Sequence, residues 1–384
     1  VTIETFPGKQ LDNPFSMNVI ELCPVGALTS RDFRFRARVW DMSHTDSVCV
    51  GCARGCNDEI WVRDNIIKRL QPRENMAVNE YWMCDHGRLN TYKFVNDETT
   101  RVNSPMMREE DVSADNDGLR QVDWDDAIAR VISELKNYKA EEIAFLASPY
   151  STLEDNFVLQ RFAKEIVGTE NIVYIPNIQG EDAKMLIRAD KTPNATGVEL
   201  LGIKPIDLKF IEKILSKQIK MVYVMNDSLG RLERTDEIAK AIEVAVLQIS
   251  NFYEHSRKAT VIFPASSYAE INGTVVNFQN RVQRLRPAVA SLEQERLPGD
   301  FAVSRLDKFG AHNDRWTKGM RFNTRPAWKV IQQMSKVFGN DFGYANTEEV
   351  FDDIAAKVPA MAGMSYEVIG NLGAVVGQTE EVPA

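Results

Sequence analysis

Beyond position 84 the 384-residue sequence contains no cysteine at all. It also has no apolar run near the roughly 18 residues needed to span a bilayer, no basic-then-apolar leader, and a mean hydropathy of −0.30. A soluble chain is expected, membrane-bound only through partners. Positive charge is short as well: 46 Lys and Arg against 55 Asp and Glu leave a formal charge of −9. That sign is wrong for a protein living on nucleic-acid phosphates. Neither a P-loop nor a G-x-G-x-x-G cradle occurs, and Gly363, Gly370 and Gly373 lack the strand–turn–helix setting such a motif requires, so NADH is not expected to bind here. Apolar residues are plentiful at 44%, enough for a sizeable core in two or three domains. The first residue is Val1 rather than Met, so a processed N-terminus or a piece of a longer polypeptide is expected.

All five cysteines, Cys23, Cys49, Cys52, Cys56 and Cys84, fall in the first quarter. A secreted disulfide framework would spread an even number through a short chain, so a reducing compartment and metal ligation fit better. Cys49, Cys52, Cys56 and Cys84 follow C-x2-C-x3-C-x27-C. A cubane cluster needs four soft ligands converging on one cage, and a tight loop of small residues can supply three corners. Gly51, Ala53 and Gly55 are those small residues, and their N–H groups are expected to face the sulfides. Structural zinc is the rival, though its ligands usually come as two separated C-x2-C pairs.

Trp40, Trp61 and Trp82 flank the ligands, either as walls against water or simply as core. His44 lies five positions before Cys49; with four cysteines completing the site, it reads as a surface or core histidine. Cys23, in Cys23-Pro24-Val25-Gly26-Ala27-Leu28, is left over. A Cys-Pro step ends cluster-binding runs in bacterial ferredoxins, so Cys23 is either a buried thiol or the last ligand of a second cluster whose other ligands lie upstream. Arg31, Arg34, Arg36 and Arg38 alternate with Phe33 and Phe35 in strand fashion, which suits either an acidic partner or a solvated strand face.

After a turn-rich stretch, helices and strands alternate. Asp123 should cap a helix to about Tyr138, with a strand over 142–147. Ser151-x-x-Glu154 reads as a capping box for a helix closed by Gly168, and a strand follows over 172–175. Asp207 and Thr235 open helices, 220–225 and 259–264 are strands, and Asn346-x-x-Glu349 caps a last helix. Such alternation argues for a parallel sheet with helices on both faces. The segment 226–230 after a strand is a vestigial ligand loop or a simple turn.

Several stretches together carry a resemblance: Cys23–Thr29, Phe33–Trp40, the cysteine triplet, Pro72–Asn75, Val78–Glu80 and Trp82–Arg88. They are similar to the large iron–sulfur subunit of respiratory complex I, NADH:quinone oxidoreductase. Phe263–Ala265, Asn272–Thr274, Asn277 and Asn280–Gln283 look, more weakly, like a molybdopterin-oxidoreductase domain. The implied fold is α/β: a small iron–sulfur domain, then a doubly wound, mainly parallel α/β domain resembling a shortened molybdopterin-oxidoreductase domain. The implied division is the end of a ferredoxin-like domain (1–37), a 4Fe–4S domain of molybdopterin-oxidoreductase type (38–95), a linker (96–120), the reduced α/β domain (121–369) and a loosely ordered tail (370–384).

By the same resemblance Cys49, Cys52, Cys56 and Cys84 hold an extra 4Fe–4S cluster off the main electron path. Cys23 would be the fourth ligand of a second 4Fe–4S cluster, although the upstream C-x2-C-x2-C triplet is missing here. His86 stands where catalytic relatives carry a lysine, and no cysteine remains to ligate molybdenum, so no molybdopterin is expected. The implied role is electron transfer and scaffolding in the peripheral arm, at the cytoplasmic face of the inner membrane, with no complete active site on this chain. Implied partners are the flavoprotein NADH-binding subunit, the 2Fe–2S subunit and the 8-iron ferredoxin-like subunit. The alternatives are an iron–sulfur or molybdopterin subunit of a formate dehydrogenase or of a hydrogenase diaphorase module, and a zinc-stapled structural module.

Overall fold

In the computed structural model, which describes residues 5–109, 118–177, 181–183, 185–293 and 322–377, the cysteine-rich segment builds a three-stranded antiparallel sheet. Its strands are β1 (Ser43–Val48), β2 (Asn57–Arg63) and β3 (Ile66–Pro72). Asp64 and Asn65, with φ of 54° and 60°, make the two-residue turn between β2 and β3. Such left-handed pairs match the twist of a hairpin, which is why short polar residues stand there. Asn65 then bonds both ways with the backbone of Ala290, at 2.9 and 2.7 Å, fastening the hairpin tip to the larger body.

That body contains an eight-stranded sheet. Its strands are β4 (Met106–Arg108), β5 (Leu119–Gln121), β6 (Ile143–Ala147), β7 (Ile172–Tyr174), β8 (Lys204–Pro205), β9 (Met221–Met225), β10 (Val244–Ile249) and β11 (Val261–Pro264). The order is β5-β4-β11-β10-β9-β6-β7-β8, parallel from β11 to β8, with β4 and β5 as an antiparallel edge. Alternate residues explain the continuous apolar runs. Ile143, Phe145, Met221 and Tyr223 face the helices Trp124–Asn137, Leu153–Arg161, Ala327–Val337 and Thr347–Lys357. Ala144, Leu146, Val222 and Val224 face Leu208–Leu215 and Thr235–Ala241. A sheet covered on both faces has no polar side to alternate with. A third sheet, β12 (Gly273–Val276), β13 (Arg281–Leu285) and β14 (Ala374–Val375), lies antiparallel throughout. Among the described residues no helix is long and apolar enough to cross a membrane.

Several local expectations shift. The stretch 96–120 supplies β4 and β5, so its described part is not a mere linker. Ala374 and Val375 pair with β13, so the tail is tied in at that point; 378–384 lie outside the described residues. Asn346 does cap its helix, accepting from Glu349 N–H at 2.9 Å, yet a short helix, Tyr366–Ile369, follows it. The helix Ala327–Val337 is an addition to the expected elements. Asp123 occupies its cap position without a side-chain bond. Residues 31–36 run as turns rather than a strand, with Phe35 at φ 65°.

The capping box is one residue further on. Thr152 accepts from Asp155 N–H at 3.0 Å, and Asp155 reaches back to Thr152 N–H. Glu154 is thereby released into the interior, where it accepts from Thr274 N–H at 2.8 Å and Tyr366 OH at 2.8 Å. Burial pushes its carboxyl up to about 7 from 4.5, against the pull of those donors. The folded state therefore binds this proton more tightly than the unfolded chain. The stability it contributes is complete below about 4.5 and is lost as pH rises through about 7. Thermal unfolding followed across that range should show a shallower fall of Tm with pH in Glu154→Gln than in the wild type; parallel curves would contradict this.

Candidate metal centre

The cysteine triplet is the loop of a β-hairpin. Cys49 directly follows β1, Cys56 directly precedes β2, and Cys49 N–H donates to Cys56 O at 2.8 Å. Gly55, at φ 64°, turns the chain back and donates to Cys52 O at 3.3 Å. Cys84 arrives from another direction as the N-cap of the helix Asp85–Asn90, and its Sγ accepts from Gly87 N–H at 3.3 Å. A Cβ on Gly87 would lie 2.9 Å from Cys49 Sγ and 3.4 Å from Cys84 Sγ, so the two sulfurs close on one glycine. All four thiols are buried, none more than 9% exposed.

Their electrostatics describe a site built for a cation. Burial pushes the Cys49 thiol far up, and Asp58, Cys56, Cys84 and Cys52 each push it further. Burial, Cys52 and Cys84 do the same to Cys56, with Arg54 opposing. Cys84 is raised by burial and relieved by Gly87 N–H. Thiols so disfavoured become thiolates together only where positive charge sits among them. An all-sulfur donor set around one point fits a 4Fe–4S cage.

The loop is held from outside by the β12–β13 hairpin. Gln283 donates to Gly55 O at 2.9 Å and to Asn57 Oδ1 at 2.8 Å. Asn277 donates to Arg54 O at 3.1 Å, Phe278 N–H to Ala53 O at 3.0 Å, and Ala53 N–H to Asp190 O at 2.9 Å. Ala53 N–H thus points away from the sulfurs, contrary to expectation, whereas Gly51 N–H does reach Cys49 Sγ at 3.5 Å. A Cβ on Gly55 would stand 2.5 Å from Gln283 Oε1, which with its positive φ leaves glycine as the residue that fits. Asn277 and Gln283 were legible as family-like residues, but not as this clamp. Gly87 carried no signal beyond lying three residues after Cys84.

The remaining candidates are dispersed. Cys23 is half-exposed rather than buried, unlike the other four thiols. The backbone N–H of Leu28 foremost, then those of Ala27, Val25 and Gly26, lowers its thiol. Trp82 packs against the small core, but Trp40 is 56% exposed and Trp61 lies on the outward face of β2, so only one of the three serves as a wall. His86 is exposed beside Asn90. The segment 226–230 forms a turn in which Arg231 grips Asp227 through both carboxylate oxygens at 2.8 Å.

The chain belongs to the molybdopterin oxidoreductase family, whose model matches residues 101–199 and 193–296, just over half of the chain. The Fe4S4 domain of molybdopterin oxidoreductases matches residues 42–97, which makes a 4Fe–4S cluster the cofactor of this segment. Within that class the chain is similar to the large iron–sulfur subunits of complex I. The ferredoxin-like domain of NADH-quinone oxidoreductase subunit 3 matches residues 1–29. An NADH-quinone oxidoreductase subunit of Rickettsia conorii is 29% identical over 63% of this chain and 33% of its own length. The mitochondrial NADH dehydrogenase [ubiquinone] iron-sulfur protein 1 of Solanum tuberosum is 31% identical over 57% of this chain and 29% of its own. The chain thus spans about a third of the length of these relatives. Acetylene hydratase from Pelobacter acetylenicus shares the fold with a TM-score of 0.56 at 9% identity, covering 84% of this chain and 73% of that one.

Two substitutions test the geometry. Gly87→Ala overpacks the sulfurs at a cost of about 1–3 kcal/mol, and iron and acid-labile sulfide per chain should fall after anaerobic reconstitution; full loading would contradict the close approach. Gln283→Ala strands the buried Gly55 carbonyl, and urea unfolding should register a loss of about 1–3 kcal/mol.

Proposed function

We propose that this chain is the cluster-binding and scaffold part of the large iron–sulfur subunit of an NADH–quinone oxidoreductase. It would serve electron transfer from NADH to quinone without an active site of its own. The observation that carries the reading is four buried thiols, with Cys49 and Cys84 closing on Gly87, within an Fe4S4-type domain clamped by a molybdopterin-oxidoreductase-type body. Cys49, Cys52, Cys56 and Cys84 are the ligands we assign to a 4Fe–4S cluster. When bound, such a cluster supplies a one-electron redox couple. The chain's own residues exclude water around it, donate N–H groups from Gly51 and Gly87 to sulfur, and fix the loop through Gln283 and Asn277.

Cys23 we assign as the fourth ligand of a second 4Fe–4S cluster whose other ligands come from sequence before Val1. The N–H groups of residues 25–28 around its sulfur, and the match of residues 1–29 to a ferredoxin-like domain, support that role. Phe6, Leu22, Val25, Phe35 and Trp40 stand between 56% and 92% exposed in the same region, an apolar surface suited to contact with further protein. The partners proposed are the flavoprotein, 2Fe–2S and 8-iron ferredoxin-like subunits of a peripheral arm at the cytoplasmic face of the inner membrane. The α/β body is proposed to act as a scaffold without pterin.

Anaerobic reconstitution should load about four iron and four sulfide per chain, with no molybdenum in metal analysis. Cys49→Ser or Cys84→Ser should abolish most of that loading, and Cys23→Ser should leave it intact. A colourless protein holding zinc, or one retaining molybdenum with pterin, would overturn the proposal.

A further inference from the structure

The outward face of the small sheet carries side chains that the cysteine chemistry does not use. His44 and Asp46 are two residues apart on β1 and share a face. The β1–β2 register sets Asp46 directly opposite Glu59 and His44 opposite Trp61. One ligand-type atom from each of His44, Asp46 and Glu59 lies within 4.8 Å of the other two, and all three residues are half-buried. Like charges directly across a strand pair are destabilising unless a cation sits between them. Nearby cations answer this poorly. Arg73 Nε stands 3.7 Å from Asp46 and makes no hydrogen bond, its Nη2 being committed to Asn371 O at 2.9 Å. Arg69 lies over the Trp61 ring, 4.5 Å from its centroid.

Trp61 organises the group. Its indole N–H donates to Glu59 Oε2 at 3.0 Å, which aims that carboxylate. The His44 ring stacks on the same indole at 4.7 Å, which fixes the imidazole plane. Contacts of this kind, made behind the ligating atoms, are what orient metal ligands. An imidazole nitrogen with two carboxylate oxygens suits a borderline divalent ion, zinc foremost, bound at about 2.0–2.2 Å with a position left for water. Soft monovalent copper and thiolate-seeking clusters are disfavoured by the same set.

We propose that His44, Asp46 and Glu59 form a binding site for a divalent transition-metal ion of the zinc class, separate from the four-cysteine centre. The ion would neutralise the Asp46–Glu59 pair and pin β1 to β2 just before the chain enters the cysteine loop at Cys49.

The test uses the full chain, cluster-loaded without oxygen and cleared of loose metal by a chelator. Zinc is titrated by calorimetry and cobalt by visible absorption, with iron per chain assayed alongside. The wild type should bind one further equivalent at micromolar metal, and cobalt should show nitrogen and oxygen ligation without a thiolate charge-transfer band. His44→Ala and Glu59→Gln should each weaken binding roughly tenfold or more with iron content unchanged. Glu59→Gln keeps an acceptor for Trp61, so a loss there reads ligation rather than misfolding. No binding by the wild type, equal affinity in wild type and both variants, or a cobalt–thiolate band would each overturn the site. Loss of iron in the wild type would instead count against the cysteine centre, so the two failures are distinguishable.

Discussion

Bringing four ionisable thiols to one buried point is the constraint that shapes this molecule. Burial is the largest cause raising Cys49, Cys56 and Cys84, and neighbouring thiols raise them further. The chain answers with geometry in advance of any ligand: a hairpin loop closed by Cys49 N–H to Cys56 O, and a helix start that offers Gly87 N–H to Cys84. Small residues stand where sulfur or carbonyl would otherwise meet a side chain. At Gly87 the neighbour is sulfur, and at Gly55 it is the Gln283 amide.

A loop this tight cannot be stabilised by its own contacts, because its backbone groups are bent away from regular pairing. The larger domain supplies the partners. Gln283, Asn277 and Phe278 take the carbonyls or donate to them, while Asn57, Asn75 and Asn79 knit β2 to the following segment. Asn75 and Arg73 then reach the carbonyls of Leu372 and Asn371, near β14. The molybdopterin-oxidoreductase-type body is therefore not an appendage to the cluster domain but the source of its missing hydrogen bonds. The small apolar core runs the same way, with Val48, Ile60 and Met83 packed in one cluster with Tyr268, Val275 and Leu285.

What the sequence discloses follows from range. The cysteine spacing, the buried strands and the caps at Asp207 and Asn346 are local patterns, and the structure keeps them. Ser151-x-x-Glu154 and Thr152-x-x-Asp155 are equally good boxes by pattern. The choice between them is made by Thr274, 120 residues downstream, which recruits Glu154. Likewise nothing near Gly55 announces Gln283. The alternation of Arg31 to Arg38 looks like a strand, but Phe35 in the left-handed region breaks the run and no partner strand is present among the described residues. Trp40, expected to stand near the thiols, is exposed because it belongs to that same irregular segment.

The N-terminal segment shows how Cys23 and the quartet are mechanically one. Asn18 bonds both ways with Met83, donating to its carbonyl at 2.9 Å and accepting its N–H at 3.2 Å. Asp85, the residue after Cys84, accepts from Ser16 Oγ at 2.6 Å and Met17 N–H at 3.0 Å, and donates its own N–H to Pro14 O. Arg88 on the same helix, 4% exposed, pairs with Glu21 and with Asn18. Losing Glu21 would leave the buried Arg88 guanidinium short of its charge partner, so the clasp resists sliding. Cys23 follows it by two residues. A cluster closed by that thiol would be held at a distance from the four-cysteine centre that is set by the fold.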